Sequence, residues 1–274
     1  MRIYAVSNQK GGVGKTVTTE QLGAALAEAD RRVLLVDFDP QGHLTGCLGV
    51  TKAGSEPGDP NLAKALLGKW QGPVGELLRE VEPNLYVLPT SDEMFLLESE
   101  VYGRAGRENL LARFLEQLSG TFDDIVIDCP PSLGPLNDAA LVAARDRGGD
   151  AEITGKIVIP VEAEDSSIGA LRLLLRQIAT LQDALPGVQL TIAGLVVTMY
   201  DARRGRIATS TLRSFKQHAL GVLGVINQRA ALTEAWRARQ TVFRYAPDSE
   251  SAQQYRDLAR ALDPSLPAVS EVTA

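Results

Sequence analysis

The feature that most constrains this 274-residue chain is a glycine-rich segment close to its first residue. Residues 3–7 (IYAVS) have the pattern of a short β-strand, residues 8–16 read NQKGGVGKT, and a helical pattern follows. Glycines here let the backbone turn so that successive N–H groups point at one anion, and the helix N-terminus adds partial positive charge. The segment therefore predicts a strand–turn–helix unit that binds a phosphate group.

The spacing follows the general phosphate-binding loop, G-x-x-x-x-G-K-[ST], except at one position. Residues 14–16 (GKT) match its end, whereas Gln9 stands at its first glycine. At this spacing Lys15 can reach the β- and γ-phosphates of a nucleotide, and the Thr16 hydroxyl can ligate Mg²⁺. A glycine-rich turn without a ligand is the alternative, and the lysine and hydroxyl that follow the glycines argue against it.

Short apolar runs alternate with helical patterns along most of the chain. The further runs predicted as strands are 32–37, 85–88, 125–128, 156–160 and 191–198. The clearest helical pattern covers 168–181, where apolar residues recur on one face. Because strands this apolar are covered on both faces, the alternation predicts a doubly wound, mostly parallel α/β sheet flanked by helices.

The alternating pattern extends over residues 1–262, which we expect to form a single domain. Residues 263–274 contain two prolines and no basic residue, and we expect them to form a flexible tail. Residues 51–60 and 145–155 interrupt the pattern with glycine, proline or charged residues, which predicts surface loops.

Two of the predicted strands end in aspartates. The first, 32–37, ends in Asp37, which begins the segment DFDPQG (37–42). Asp37 and Asp39 lie two residues apart, so their side chains point the same way from an extended chain. The second ends in Asp128. Carboxylates at the carboxyl edge of a parallel sheet lie beside its ligand crevice, so we expect these groups near the glycine-rich loop. A strand-end turn at 37–42 and a helix cap at Asp128 are the structural alternatives.

Composition narrows the class of protein. With 28 basic and 34 acidic residues, the formal net charge is −6, and 45% of the residues are hydrophobic, as in an ordinary globular protein. Cys47 and Cys129 form no CxxC pair and no disulfide pattern, which favours a reducing interior. His43 and His218 have no metal-like partners at a useful spacing, so we expect both to be structural. No apolar run is long enough for a signal peptide or a membrane span, so we expect a cytoplasmic protein.

A basic segment contrasts with the negative net charge. Between residues 198 and 216 the only acidic residue is Asp201. The basic residues are Arg203, Arg204, Arg206, Arg213 and Lys216. Such a segment can neutralise nucleic-acid phosphates without reading bases, and a solvated helix face is the alternative.

Residues 10–16 (KGGVGKT) resemble the deviant Walker A motif of the ParA/MinD family of P-loop ATPases. Residues 37–42 (DFDPQG), 125–131 (IVIDCPP) and 198–203 (TMYDAR) resemble further motifs of that family, and the likeness extends over roughly 1–262. The motifs are most similar to those of ParA-type DNA partition ATPases. The resemblance implies a P-loop NTPase fold, ATP and Mg²⁺ as cofactors, and hydrolysis of ATP to ADP and phosphate.

The resemblance also assigns roles to residues. Lys10 matches the lysine that, in the family, crosses the interface of an ATP-sandwich homodimer to the partner's phosphates. Lys15 matches the phosphate-binding lysine, and Asp39 matches the aspartate that positions the attacking water, so these three are the candidate catalytic residues. The residues assigned to ATP are Lys10, Gly11, Gly12, Val13, Gly14, Lys15, Thr16, Val17, Asn227 and Arg229. The residues assigned to magnesium are Thr16, Asp37 and Asp128.

The base side of the resemblance is weaker than the phosphate side. Residues 225–235 resemble the segment that lines the nucleotide base, but Asn227 and Arg229 replace the proline and asparagine of the common IPRN sequence. Ala231 stands where a second DNA-binding arginine would fall. Contacts with the base therefore transfer poorly to this chain.

The implied biology is plasmid or chromosome partition. Arg203 matches an arginine that binds DNA without sequence preference, so an ATP-bound dimer would associate with the nucleoid. A ParB-like centromere-binding partner would stimulate ATP hydrolysis, which would release the dimer from the DNA. The alternative is a membrane-cycling ATPase resembling MinD, which needs a basic amphipathic C-terminal helix. Pro264, Pro267 and the lack of basic residues after Arg260 argue against it, so we expect no membrane binding. Small-molecule ligases with related loops are a further class.

Overall fold

The computed structural model describes residues 1–54, 56, 58–147 and 152–267. Within this part of the chain, eight strands form one sheet. The strands are β1 (Arg2–Val6), β2 (Val33–Asp37), β3 (Arg79–Glu82), β4 (Leu85–Leu88), β5 (Asp124–Asp128), β6 (Thr154–Glu162), β7 (Ile192–Tyr200) and β8 (Val222–Asn227). Their order is β3-β4-β2-β5-β1-β6-β7-β8, and every pairing is parallel except the antiparallel pair of β3 and β4. The predicted doubly wound, mostly parallel sheet is confirmed.

Helices cover both faces of the sheet. They are α1 (Lys15–Glu28), α2 (His43–Cys47), α3 (Leu62–Leu66), α4 (Met94–Val101), α5 (Leu110–Glu116), α6 (Pro135–Ala143), α7 (Asp165–Ala184), α8 (Arg206–Lys216), α9 (Ala230–Ala238), α10 (Val242–Tyr245) and α11 (Glu250–Leu262). Successive residues of β1 face opposite cores, as the strand pleat requires. Ile3 and Ala5 join the core under α5, α6 and α7, whereas Tyr4 and Val6 join the core under α1 and α11.

All six predicted strands are present, with ends displaced by at most two residues. The strands that the pattern does not predict, β3 and β8, lie at the two edges of the sheet. An edge strand is paired on one side only and needs no continuous apolar run. β3 (REVE) is accordingly charged and partly exposed, and β8 is mostly half-buried. The predicted helix at 168–181 forms the centre of α7, where Leu171, Leu174 and Ile178 are buried.

The predicted loops and tail are only partly described. Residues 148–151 and 268–274 lie outside the described residues, and residues 154–155 of the predicted loop belong to β6. Asp263, at the start of the predicted tail, forms an ion pair with Arg2 and accepts a hydrogen bond from the Ser265 hydroxyl at 2.6 Å. The domain boundary at residue 262 stays a prediction. Along the described residues, no helix combines the length and apolar character needed to span a membrane.

The topology places a crevice at the carboxyl end of β1. From β1 the chain passes to β2 on one side of the sheet and later to β6 on the other, so the connections diverge there. Ligands of open α/β sheets bind at such switch points. The loops that follow β1, β2, β5 and β6 all open at this edge, because these strands run parallel.

Candidate active site

The loop between β1 and α1 has the conformation of an anion cradle. Gly12 and Gly14 have φ angles of 78° and 80°, a left-handed region that favours glycine. A Cβ atom on Gly12 would meet nothing within 4 Å, so its conformation and not crowding explains this glycine. Gly14 precedes α1, and no side chain caps the helix. The N-terminus of α1 is therefore open towards the loop, as anion binding requires.

Buried side chains hold the loop from both flanks. The Asn8 side chain donates to the carbonyl of Pro160 at 2.7 Å and accepts from the Lys10 amide at 3.0 Å. The Thr198 hydroxyl donates to the carbonyl of Val13 at 2.8 Å. β6 and β7 thus anchor the loop before any ligand is bound. This role of Asn8 is not predicted above, although a polar residue just beyond an apolar strand is a signal for it.

Lys15 is buried within the loop. Its side-chain ammonium donates to the carbonyl of Lys10 at 3.1 Å, and the residue is only 7% exposed. Burial lowers the pKa of Lys15, while the nearby carboxylates of Asp128 and Asp39 act in the opposite direction. An ammonium shielded from water exerts a strong field on a phosphate placed in the cradle.

The structure brings Asp37 and Asp128 together, since they pair in register at the ends of β2 and β5. Burial, followed by the negative charge of Asp37, raises the pKa of Asp128 well above its ordinary value, and Thr16 and Lys15 oppose this rise. Neither carboxylate oxygen of Asp128 has a hydrogen-bond partner among the described residues. α6 begins with Gly134 as its N-cap, so Asp128 does not cap that helix.

Asp37 is more firmly engaged than Asp128. One of its oxygens accepts from the Thr45 amide at 2.7 Å and from the Thr45 hydroxyl at 2.5 Å. Burial raises the pKa of Asp37 to about 7, against the opposing effect of these hydrogen bonds. Its other oxygen lacks a partner among the described residues. Asp37 therefore has one oxygen available for the magnesium role that the resemblance implies.

These groups fit a magnesium ion. Mg²⁺ binds through one or two carboxylates, substrate phosphates and several waters. A buried carboxylate without partners at Asp128, close to the Thr16 hydroxyl, supplies that kind of donor set. Within the described ranges no group of three or more His, Cys, Asp or Glu side chains is arranged around a metal, so phosphate and water oxygens would complete the coordination.

Asp39 lies at the rim of the same crevice. One of its carboxylate oxygens accepts from the Gln41 amide at 2.9 Å, and its carbonyl accepts from the Gly42 amide at 3.0 Å. The segment 39–42 is therefore also a turn, as the alternative interpretation expects. The residue is 8% exposed, and its charge is close enough to affect Lys15.

Lys10 does not point into its own phosphate cradle. Its ammonium donates to Glu162 at 2.6 Å, to Glu164 at 3.2 Å and to the Ser166 hydroxyl at 3.0 Å. Burial lowers the pKa of Lys10, but the hydrogen bonds to both glutamates outweigh burial and raise it. Sequence reasoning does not identify these three partners, because they lie more than 150 residues away along the chain.

A cleft of about 270 Å³ continues from the phosphate loop towards α9 and α11. Its lining residues include Gly14, Val17, Met199, Asn227, Arg229, Leu232, Trp236 and Tyr255. The Glu250 carboxylate accepts from the Asn227 side chain at 2.5 Å and from the Arg229 guanidinium at 2.7 Å. The two predicted base-side residues thus share one partner, Glu250. Trp236 and Tyr255 also line the cleft, and the sequence patterns do not predict this.

The basic segment forms an exposed surface. The Arg203 side chain is 87% exposed, and its guanidinium forms an ion pair with Asp201 at 2.9 Å. Arg204 donates to the Gln228 side chain at 3.2 Å and lies 3.6 Å from Glu164. The exposed face of α8 carries Arg206, Arg213 and Lys216. The opposite face of α8 is buried, so these three cations lie on its exposed side.

Known proteins resemble this chain over most of its length. The sequence model of the AAA_31 family, described as an AAA domain, matches residues 1–192. The sporulation initiation inhibitor protein Soj of Bacillus subtilis is 35% identical over 262 residues, covering 94% of this chain and 97% of Soj. The chromosome partitioning protein ParA of Myxococcus xanthus is 34% identical over 265 residues, covering 95% of this chain and 87% of that protein.

A solved structure has the same architecture. It is the cobyrinic acid a,c-diamide synthase of Mycobacterium smegmatis, crystallised with a bound ATP analog and magnesium. The two chains superpose with a TM-score of 0.77 at 32% identity, covering 96% of this chain and 94% of that one. The likeness includes the sheet edge at which the phosphate cradle lies, because it extends over nearly the whole chain.

Proposed function

The chain belongs to the AAA_31 family of AAA domains and is a relative of Soj and ParA, and we propose that it is a ParA-type partition ATPase. It hydrolyses ATP to ADP and phosphate with Mg²⁺, and its ATP-bound homodimer binds DNA without sequence preference. The observation that carries the ATPase proposal is the unpartnered, buried carboxylate of Asp128 beside an uncapped helix N-terminus. Such an arrangement has room for a cation and a phosphate together.

The phosphates lie in the cradle of residues 11–16. Its N–H groups and the Lys15 ammonium bind phosphate oxygens, which displaces Lys15 from the Lys10 carbonyl. Thr16 and Asp128 hold the magnesium ion, with Asp37 behind them on the neighbouring strand. When bound, Mg²⁺ neutralises charge that develops on the β- and γ-phosphate oxygens. Val17 and the cleft residues Asn227 and Arg229 lie on the base side.

Asp39 positions the attacking water. Its carboxylate lies at the crevice rim, holds one hydrogen bond from Gln41 and is near enough to Lys15 to interact with its charge. Water positioning and electrostatic stabilisation supply most of the acceleration in phosphoryl transfer, because the protein forms no covalent bond in that step.

Lys10 acts across the dimer, and the basic segment acts on DNA. A second cation on the phosphates lowers the barrier to hydrolysis, and in this chain that cation comes from the partner subunit. Arg203, Arg204, Arg206, Arg213 and Lys216 contact DNA backbone phosphates, which locates the ATP-bound dimer at the nucleoid. A ParB-like partner at a centromere-like site stimulates hydrolysis and releases the dimer.

The test compares three ligands under one protocol. ATP turnover by the purified chain is measured with Mg²⁺ and with a chelator, followed by binding to random-sequence DNA and to anionic vesicles with ATP or ADP. Binding to DNA and binding to vesicles are each measured at low and at moderate salt, because binding to the phosphate backbone of DNA weakens steeply as the salt concentration increases. Partition predicts ATP-dependent binding to DNA alone. The absence of Mg²⁺-dependent turnover would exclude the ATPase.

The other outcomes identify competing functions. Binding to vesicles alone would favour a MinD-like membrane-cycling protein. In the described part of the chain the last helix, α11, buries Tyr255, Leu258 and Leu262 against the domain, so that apolar face is not available for a membrane. Turnover without binding to either surface would favour a metabolic enzyme, such as the synthase that shares this fold.

A further inference from the structure

Lys10 is held by its own subunit. The partners that hold it, Glu162, Glu164 and Ser166, form what we call the acidic clasp, and all three surround one ammonium within 3.2 Å. The clasp lies at the carboxyl edge of the sheet, since Glu162 ends β6 in register with Thr198. Ser166 lies in the first turn of α7. Lys10 is therefore held by elements outside the phosphate loop.

This location conflicts with the role proposed for Lys10. An ammonium that is bound to two carboxylates cannot at the same time contact phosphates of a neighbouring subunit. The Glu162 side chain is 16% exposed and that of Lys10 25% exposed, so solvent screens the contact only partly. Releasing Lys10 removes the cation that pairs with Glu162, while Glu164 keeps Arg204 at 3.6 Å, so the loss at Glu162 is unfavourable.

We propose that Glu162 and Glu164 are positioning residues that hold Lys10 in an autoinhibited position until an ATP-bound partner displaces them. This inference rests on the proposed ATPase function and on the trans role of Lys10. A triphosphate on the partner competes for the ammonium with more negative charge than a diphosphate does. Lys10 is therefore released in the ATP-bound dimer and returns to the clasp once ADP remains, which resets the subunit. The clasp thereby suppresses turnover by isolated chains.

Glu162 is the better of the two glutamates to test. Glu164 also lies 3.6 Å from Arg204 in the basic segment, so a change there would alter DNA binding as well. Glu162→Gln retains the size and a hydrogen-bond acceptor but removes the charge. We expect it to raise basal ATP turnover about threefold to tenfold and to lower the protein concentration needed for half-maximal specific activity, in line with the modest strength of partly exposed ion pairs.

The experiment is a double-mutant cycle on the full chain, with ATP turnover measured over a series of protein concentrations. The variants are Glu162→Gln, Lys10→Ala, the double variant and Ser166→Ala. If the clasp acts through Lys10, Glu162→Gln restores no turnover in the Lys10→Ala background, whereas turnover regained by the double variant would overturn the inference. Ser166→Ala removes the weakest contact, and we expect a smaller increase in turnover. It also serves as the second variant if Glu162→Gln fails to fold.

Glu76→Gln is the matched control, because it makes the same charge change at an exposed residue just before the edge strand β3, four strands from β1, and we expect turnover equal to the wild type. The melting temperature of each variant is measured, so that a change in turnover caused by release of Lys10 can be distinguished from a change caused by a folding defect. Unchanged or lower turnover in a folded Glu162→Gln chain would overturn the proposal that the clasp inhibits hydrolysis. Loss of turnover in the wild type itself, with Mg²⁺ and ATP, would instead contradict the proposed function.

Discussion

The phosphate side (residues 10–17, 37–39 and 128) and the proposed DNA side (the basic segment, residues 203–216) of this molecule use charge in opposite ways. On the phosphate side, burial raises the pKa of Asp37 to about 7 and raises that of Asp128 well above its ordinary value. On the DNA side, the hydrogen bonds from Arg203 lower the pKa of Asp201 to about 2. On the phosphate side, buried carboxyl groups thus have oxygens without hydrogen-bond partners among the described residues, whereas on the DNA side exposed charges pair with their neighbours.

The difference indicates how each region meets its ligand. A buried carboxylate without a partner is costly in the free protein, and a cation that binds there removes this cost. An exposed ion pair stabilises little, so its arginine can exchange a carboxylate for a DNA phosphate at low cost. Ligand binding should therefore depend strongly on single residues on the phosphate side and weakly on each residue of the DNA side.

The largest expected effect is that of Lys15→Ala. Removal of the buried ammonium should abolish ATP binding, because Lys15 is buried in the cradle and Lys10 is held outside it. Lys10→Ala is the matched comparison, since its ammonium lies in the acidic clasp and not in the cradle. It should keep ATP binding but lose hydrolysis and ATP-dependent dimerisation. Calorimetric titration with ATP and Mg²⁺ measures ATP binding by both variants. A turnover rate of Lys10→Ala equal to that of the wild type would refute the catalytic role of Lys10.

The next effect is on chemistry alone. Asp39→Ala should reduce turnover by about 10²- to 10³-fold, as loss of a group that activates water does, and leave an ATP-bound dimer that stays on DNA. Turnover assays combined with DNA retention after ATP addition measure this. Asp92→Ala removes an exposed carboxylate that pairs with Lys52, and it should change neither quantity. Equal losses of turnover in Asp39→Ala and Asp92→Ala would contradict the role of Asp39 in positioning the attacking water.

A third effect is on stability and its pH dependence. Glu20 lies in α1 with both carboxylate oxygens buried and unpartnered among the described residues, and burial raises its pKa from 4.5 to about 8. Below pH 4.5 both the folded and the unfolded chain hold this proton, so there is no penalty. Between pH 4.5 and 8 the unfolded chain releases it first, and the free energy of unfolding falls with rising pH.

Glu20→Gln should remove this contribution. The variant should gain stability on the order of a few kcal/mol near pH 8 and little at pH 5, measured by denaturant unfolding without nucleotide. Glu28→Gln, at the exposed end of the same helix, serves as the control for charge and helix position. A gain of the same size at both pH values would show that Glu20 does not retain its proton in the folded chain.

The smallest expected effect belongs to the DNA side. Arg203→Ala should weaken binding about threefold to tenfold for all DNA sequences alike, and reduce the salt dependence by about one phosphate contact. Asp201→Asn frees Arg203 from its ion pair and should strengthen binding. Titrations with two unrelated DNA sequences at several salt concentrations measure both. A sequence-selective loss would contradict backbone contacts, and a large loss from one arginine would erase the contrast between the two sides.

The sheet interior was predictable, and its edges were not. Runs such as 32–37 and 125–128 are apolar because both of their faces are covered, and that requirement is visible in the sequence itself. β3 and β8 lack the signal, because an edge strand tolerates charged or half-buried residues. The loop glycines were equally predictable, since a left-handed turn leaves few alternatives to glycine.

Elements with local physical requirements can be inferred from the residues alone: the phosphate cradle, the apolar strands and the strand-end aspartates. The groups that meet them from distant segments are brought there by folding. Lys10 contacts Glu162 from 152 residues away, and Asn227 and Arg229 contact Glu250 across α9 and α10. Such pairings depend on strand order and helix packing, and no periodicity or spacing along the chain encodes them.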